Sequence, residues 1–212
     1  MSIVAILYAA LVMSVLGLVF GALLGVVLYA RAGKLRIAPL MDVAVPAIAV
    51  ALLLGRVGDA FIDQGVGSYV ANEALSMLPF VTLNEWDEAQ LLVRVYEAIM
   101  AGVAAVAALL VLRKGPAGRA AETGLTLISI GQIIFDSWRG DELIKFGFVR
   151  LNMIMAAVTL AFIITTRIVR CVRSGSGKGW SIARAVIFVA GAGVVIAIEF
   201  ALDKSTINNT LL

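Results

Sequence analysis

An uncharged apolar run over residues 2–30 constrains the fold of this chain more than any other feature. A helix needs roughly 20 apolar residues to cross a bilayer, so the run is long enough to span one. It lacks the basic segment and short apolar core of a secretory signal. Of the 212 residues, 62% are apolar and 15% are charged, whereas ordinary globular domains are about 25% charged. We therefore expect a protein that lies in lipid.

The other apolar segments predict five further membrane-spanning helices, because open strands leave backbone groups unsatisfied in lipid. These helices are expected over residues 37–55, 91–112, 122–138, 146–169 and 182–202. A short interfacial helix is expected over residues 70–80, within the polar segment that follows the second span. The predicted fold class is all-α, a polytopic transmembrane helical bundle of about six spans.

Basic residues concentrate in alternate connections between the predicted spans. They are Arg31, Lys34 and Arg36, then Arg113, Lys114 and Arg119, then Arg167, Arg170, Arg173, Lys178 and Arg184. Cytoplasmic loops of membrane proteins carry such an excess of Lys and Arg. The pattern predicts that these connections are cytoplasmic and that both termini lie outside. Cys171 would then face the cytoplasm.

The residue inventory excludes several kinds of chemistry. The chain has no histidine, so Ser-His-Asp triads, His-ligated haem and imidazole-ligated zinc are excluded. Its single cysteine, Cys171, allows neither an intrachain disulfide nor a thiolate cluster. We expect no metal and no cofactor. The net charge of +3 is too small to indicate a nucleic-acid partner.

Ionisable side chains inside or at the edges of the spans are the candidate functional residues. Charged groups at a helix centre cost roughly 2.5–3.5 kcal/mol on insertion scales, so they usually face a cavity or a partner. The candidates are Arg56, Asp59, Arg94, Glu97, Asp136, Arg139 and Arg150, and the predicted topology places them all in the outer half of the membrane. Several guanidinium groups at one leaflet suit a phosphate, which arginine binds through two parallel hydrogen bonds. The nearest abundant phosphate is a phospholipid headgroup.

A structural interpretation of the same residues stays open. Long side chains at span ends reach back to the interface, and Arg94 with Glu97, or Asp136 with Arg139, are spaced as ion pairs within one helix. In the first span, Gly17, Gly21 and Gly25 have the spacing that lets a neighbouring helix approach closely. We expect these glycines to serve packing.

Several segments resemble the prolipoprotein diacylglyceryl transferases. The run from Met41 to Pro46, followed by Gly-Arg-Val-Gly-Asp-Ala-Phe-Ile over residues 55–62, is similar to the family signature. The Tyr96-Glu97 pair and the segment Phe-Asp-Ser-Trp-Arg-Gly-Asp over residues 135–141 resemble two further family motifs, in the family's order. The basic turn over residues 30–34 matches the one that follows the family's glycine-rich helix. The resemblance covers roughly residues 15–170.

This resemblance implies a multi-pass protein of the bacterial cytoplasmic membrane. The family transfers diacylglyceryl from phosphatidylglycerol to the lipobox cysteine of a prolipoprotein at the outer face, and glycerol phosphate leaves. By resemblance, Arg56 grips the phosphate and Arg139 assists at its far side. The charge pattern adds Arg94 as a further phosphate-binding candidate. Tyr96 and Glu97 shape the pocket, and Asp59, Glu97 and Asp63 are the carboxylates left to act as a base. The implied partners are phospholipid and a prolipoprotein signal peptide.

The sequence departs from the family pattern at several positions. Leu16 stands where the family has a histidine that is important for activity, Gln132 replaces a second expected arginine, and Asp59 replaces the signature asparagine. The first domain is expected over residues 1–170, with a basic linker and an appended sixth helix over residues 171–212. Two interpretations follow. The chain is a shortened transferase, or a catalytically degenerate relative that binds phospholipid or serves as a subunit of a membrane complex.

Overall fold

The structure is a computed structural model that describes residues 14–62, 64–67, 80–83, 89–139, 145–146 and 149–173. Its helices are α1 (Ser14–Ala32), α2 (Ile37–Gly58), α3 (Val93–Lys114), α4 (Arg119–Trp138) and α5 (Leu151–Arg173). A 3-10 turn, Asp59–Phe61, follows α2. Two antiparallel hairpins are also present, β1 (Val81–Leu83) with β2 (Ala89–Leu91), and β3 (Lys145–Phe146) with β4 (Val149–Arg150).

Each of these five helices corresponds to one of the first five predicted spans. The predicted start of the first span lies outside the described residues, and the other observed ends differ from the predicted ones by a few residues. Apolar runs without charge favour helix in this chain, and the helices end where glycine or polar residues follow, as at Gly115 after α3. The predicted sixth helix, and most of the predicted interfacial helix, lie outside the described residues. The mainly helical fold class is confirmed, and the number of six spans stays a prediction.

Three stretches in the described part of the chain are long and apolar enough to cross a membrane: Ile37–Phe61, Val93–Lys114 and Asn152–Arg170. α4 is less apolar because it carries Glu122, Gln132 and Asp136 along its length. A helix with polar residues on one side needs a protein neighbour for that side. In this structure the neighbours of α4 are α2 and α3.

The core between α2, α3 and α4 is built from small residues. Ala49, Ala104 and Ala105 are buried together, and Leu127 and Ile128 of α4 pack against them. A Cβ added to Gly124 would lie 2.6 Å from Cγ1 of Val45. Small side chains let helix backbones approach closely, which is how membrane helices gain packing energy.

The first two basic connections lie at one end of this bundle. At that end the buried carboxylate of Asp42, near the start of α2, accepts hydrogen bonds from the backbone N–H groups of Gly118 and Ala121, at the start of α4. Asp42 thus supplies the cap that Gly118, at the helix boundary, has no side chain to provide. This arrangement agrees with the alternation predicted from the basic residues, and the orientation in the membrane stays a prediction.

The chain divides into two compact units, Met1–Leu143 and Ile144–Leu212. The first contains α1 to α4 with the β1–β2 hairpin, and the second contains the β3–β4 hairpin and α5. The sequence-based domain boundary at residue 170 stays a prediction. The hairpins were not predicted, since strands of two or three residues are too short to show an alternating pattern.

Candidate functional site

The carboxyl ends of α2 and α4 and the amino end of α3 meet at the end of the bundle opposite Asp42. Antiparallel neighbours bring these ends together because α3 runs back against the other two helices. Arg56 lies in the last turn of α2, Glu97 in the second turn of α3, and Arg139 directly after α4. Residues more than 40 positions apart in sequence therefore form one cluster.

Glu97 is the centre of this cluster. Its Oε2 lies 2.9 Å from Nε of Arg56 and 3.1 Å from Nη1 of Arg139, and its Oε1 accepts a longer hydrogen bond of 3.4 Å from Arg139. The three side chains are nearly inaccessible, with exposed fractions of 10% for Arg56, 5% for Glu97 and 7% for Arg139. The structure thus pairs Glu97 of α3 with two arginines from other elements, Arg56 of α2 and Arg139 directly after α4.

Asp59 completes the contacts of Arg56. Its Oδ2 accepts a hydrogen bond of 3.0 Å from Nη1 of Arg56, one turn earlier in the chain. Among the described residues, the carboxylates of Glu97 and Asp59 are therefore in direct contact with the arginines of the cluster. Asp136, which is fully buried, adds a third carboxylate within electrostatic range of Glu97.

A small cavity of about 30 Å³ adjoins the cluster, with room for roughly two water molecules. Its polar wall includes Arg56, Glu97 and Gln132. Its apolar wall includes Leu52, Met100 and Phe135, which lie towards the middle of the bundle. The cavity thus has a charged side and a hydrocarbon side, as a site for an amphipathic molecule requires.

An aromatic cluster flanks the charged residues. The ring of Tyr96 contacts Phe80 edge-on at 5.8 Å, stacks on Phe135 at 6.0 Å and meets Trp138 edge-on at 6.2 Å between centroids. Phe135 and Trp138 also contact each other at 5.6 Å. These rings join the starts of α3 and β1 to the end of α4, so Tyr96 holds the site together through packing.

A glycine-containing loop over residues 64–67 covers the same end of the bundle. Gly65 has a φ of +76°, and a Cβ there would lie 2.8 Å from Cβ of Arg94. The N–H of Gly67 donates to the carbonyl of Leu91 at 2.7 Å, and Gly67 bridges to Arg139. Sequence reasoning overlooked both glycines, although their spacing just after the arginine motif is a signal that could have indicated a tight loop.

The structure brings some of the predicted site residues together and separates others. Arg56, Asp59, Glu97 and Arg139 lie in one cluster, and Tyr96 borders it. Arg94 donates from Nη1 to the backbone carbonyl of Gln64 at 2.9 Å, which ties the loop to α3. Asp63 lies outside the described residues. The catalytic and phosphate-binding roles of these residues stay predictions.

The predicted packing glycines have open surroundings in the described part of the chain. Gly21 and Gly25 are exposed, and no described atom lies within 4 Å of where their Cβ atoms would be. The surroundings of Gly17 are not described. The packing role of these glycines therefore stays a prediction.

The fold and the site together define a helical membrane protein with a buried arginine–carboxylate cluster at one end of its bundle. A family model described as prolipoprotein diacylglyceryl transferase matches residues 3–170. The match covers most of the chain, so this chain belongs to the prolipoprotein diacylglyceryl transferase family, as its motifs predicted. A comparison with curated proteins and one with solved structures each gave no match.

Proposed function

We propose that this chain binds phosphatidylglycerol in the outer half of the bacterial cytoplasmic membrane, with Arg56 and Arg139 as ligands of the phosphate. The observation that supports the proposal most is the convergence of two buried guanidinium groups, from separate helices, on one anion position. Arginine is suited to this role because it keeps its charge when partly buried and binds planar oxyanions through two hydrogen bonds. The adjoining apolar wall suits the hydrocarbon next to the headgroup.

In the transfer reaction of the family, the thiol sulfur of a prolipoprotein forms a bond to the diacylglyceryl carbon, and the bond from that carbon to the phosphate oxygen breaks. The thiol proton must go to a base, and glycerol phosphate leaves with the electron pair. Asp59 and Glu97 are the carboxylates near the arginines, and each already accepts hydrogen bonds from a guanidinium group. An ionised carboxylate has about four lone-pair sites, so either residue still has a site that could accept the thiol proton.

Leu16 stands where the family has its histidine, and this difference favours an alternative within the same family. In that alternative the chain binds the lipid with little or no transferase activity. No histidine is present to act as a base. General base catalysis commonly contributes 10²–10⁴-fold, so its loss costs about 3–5 kcal/mol of activation free energy. We therefore expect a weak transferase, with phospholipid binding retained.

A complementation assay distinguishes an active transferase from a relative that binds the lipid with little or no transfer. The chain is expressed in a bacterium depleted of its own transferase, and prolipoprotein lipidation is followed by gel shift alongside a measurement of the protein's abundance in the membrane. We expect little lipidation from an abundant, inserted protein. Full rescue would overturn the interpretation of the chain as a catalytically degenerate relative. It would direct the search for the base to Asp63 or Glu97. In that case Leu16→His should leave the rate nearly unchanged.

Lipid binding is tested separately on purified protein. Arg56→Ala should weaken phosphatidylglycerol binding by about 1.5–3 kcal/mol, the range for a charged hydrogen bond. Arg56→Lys should recover only part of this loss because lysine lacks the planar fork. Arg113→Ala, an exposed arginine at the other end of α3, is the matched control. Equal binding by the wild type and both Arg56 variants would refute the assignment.

A further inference from the structure

The carboxylate of Glu97 has the geometry of a bound ligand. Two guanidinium groups from α2 and from the end of α4 converge on its Oε2 at 2.9 and 3.1 Å, and the second also reaches its Oε1. Guanidinium groups bind carboxylate and phosphate oxygens with the same fork geometry and similar distances. The position between Arg56 and Arg139 is therefore an oxyanion site that a side chain of the protein fills.

We propose that Glu97 holds the place of the lipid phosphate until lipid binds, so that binding exchanges one oxyanion for another. The inference rests on the proposed function, since it takes Arg56 and Arg139 as the phosphate ligands. It adds that Glu97 is a competitor for the site. Its carboxylate thus sets the affinity for phosphate-bearing lipids.

The burial of the site favours such an exchange. The side chains of Arg56, Glu97 and Arg139 are nearly inaccessible and in contact with one another, so a phosphate reaches the two guanidinium groups more readily once Glu97 has moved. Glu97 is itself part of the cavity wall. Movement of its side chain frees both the volume and the guanidinium hydrogen bonds in one step.

The charge balance leads to the same conclusion. Among the described residues, Arg56 and Arg139 directly contact the carboxylates of Glu97 and Asp59, and Asp136 lies within electrostatic range of Glu97. A phosphate added with Glu97 still in place would bring uncompensated negative charge into a buried region, where ion desolvation and repulsion are costly. Departure of Glu97 from the two guanidinium groups removes that excess.

The arrangement also keeps both guanidinium groups paired with an anion before lipid binds. Two guanidinium groups buried without an anion would be strongly unfavourable, since breaking a buried pair leaves an uncompensated charge. Glu97 supplies the anion until a ligand arrives. Removing its charge should therefore lower the free energy of unfolding of the protein without lipid and strengthen lipid binding together, a combination that a merely structural residue does not produce.

The test uses the full chain in detergent, titrated with dioctanoyl phosphatidylglycerol, with glycerol 1-phosphate and with phosphate-free dioctanoylglycerol. Glu97→Gln should bind the phosphatidylglycerol about tenfold more tightly than the wild type, and Arg56→Ala added to it should abolish the gain. A gain for glycerol 1-phosphate as well would locate recognition in the phosphate, whereas a gain for the lipid alone would show that the acyl chains are also needed. Dioctanoylglycerol should show no gain, and an equal gain for it would overturn the proposal.

Two control variants separate exchange from a general change of charge. Asp59→Asn neutralises a carboxylate that contacts only Arg56 among the arginines of the cluster, so its gain should be smaller than that of Glu97→Gln. Glu122→Gln neutralises a buried carboxylate in the first turn of α4 and should leave affinity unchanged. Equal gains for all three variants would overturn the exchange.

The outcomes also distinguish this inference from the proposed function. If Arg56→Ala weakens binding while Glu97→Gln does not strengthen it, the exchange is wrong and the phosphate site stands. If binding by Glu97→Gln is insensitive to Arg56→Ala, the phosphate site itself is wrong. Should Glu97→Gln fail to accumulate, Glu97→Asp replaces it, since the shorter carboxylate cannot reach both arginines. An affinity gain of about threefold is then expected, and no gain overturns the exchange.

Discussion

Asp42, near the start of α2, accepts a hydrogen bond of 2.8 Å from the backbone N–H of Ala121, in the first turn of α4. A helix is thus capped by a residue 79 positions earlier in the chain. The Asp42 carboxylate also accepts from Gly118, so one buried side chain satisfies two of the N–H groups that every helix start leaves without partners inside the helix. The cap links two helices whose opposite ends carry the two arginines of the site.

Asp42→Ala should lower the free energy of unfolding by about 2–3 kcal/mol, because it removes a cap and leaves buried N–H groups without an acceptor. Asp42→Asn keeps one side-chain oxygen and should cost less. Thermal unfolding in detergent, followed by far-ultraviolet circular dichroism, measures the difference. Thr123→Ala, a change at a partly exposed position near the same turn, is the control and should stay within about 0.5 kcal/mol of the wild type. A loss no larger for Asp42→Ala than for this control would contradict the cap.

Gly124→Ala should destabilise the bundle by about 1–3 kcal/mol, the usual cost of overpacking. The added methyl group would lie 2.6 Å from Cγ1 of Val45, so α2 and α4 must move apart. Gly25→Ala is the matched control, because no described atom lies near the new methyl group and alanine favours helix. The two variants are compared by thermal unfolding. Destabilisation by Gly25→Ala would instead show that the glycines of α1 do pack against a neighbour.

Tyr96→Phe should leave the free energy of unfolding nearly unchanged, whereas Tyr96→Ala should lower it by about 2–3 kcal/mol. The ring of Tyr96 makes contacts with three other aromatic rings, and phenylalanine preserves these contacts. Unfolding measurements give the stability, and the lipidation assay gives the activity. Loss of activity in a fully stable Tyr96→Phe protein would assign the hydroxyl a chemical role rather than a packing role.

Cys171 should be protected from a membrane-impermeant maleimide in intact cells and become labelled after permeabilisation. The expectation follows from the basic residues around it, which the positive-inside rule places in the cytoplasm. In a Cys171→Ser background, Thr210→Cys reports on the tail and should be labelled in intact cells. Labelling of Cys171 without permeabilisation would reverse the predicted topology, and with it the placement of the arginine cluster at the outer leaflet.

The sequence by itself determined the elements and the family. Apolar runs as long as a bilayer is thick admit only helices, so the five described helices were predictable to within a few residues at most ends. The order of the motifs around Arg56, Tyr96 and residues 135–141 was specific enough to indicate the transferase family, which the family match confirms. The choice of Arg56, Glu97 and Arg139 as candidates came from the cost of charge in lipid, a local property of each residue.

Only the tertiary structure decided how these residues are paired. Spacing along a helix favoured Arg94 with Glu97 and Asp136 with Arg139, because residues three apart are neighbours on one helix surface. The structure shows Glu97 between Arg56 and Arg139, contacts that spacing within one helix does not predict, on elements that meet only when α3 folds back against α2 and α4. The cap from Asp42 to α4 and the close approach of Gly124 to Val45 have the same origin. Contacts between distant segments depend on how the helices pack, and local sequence pattern carries no information about that packing.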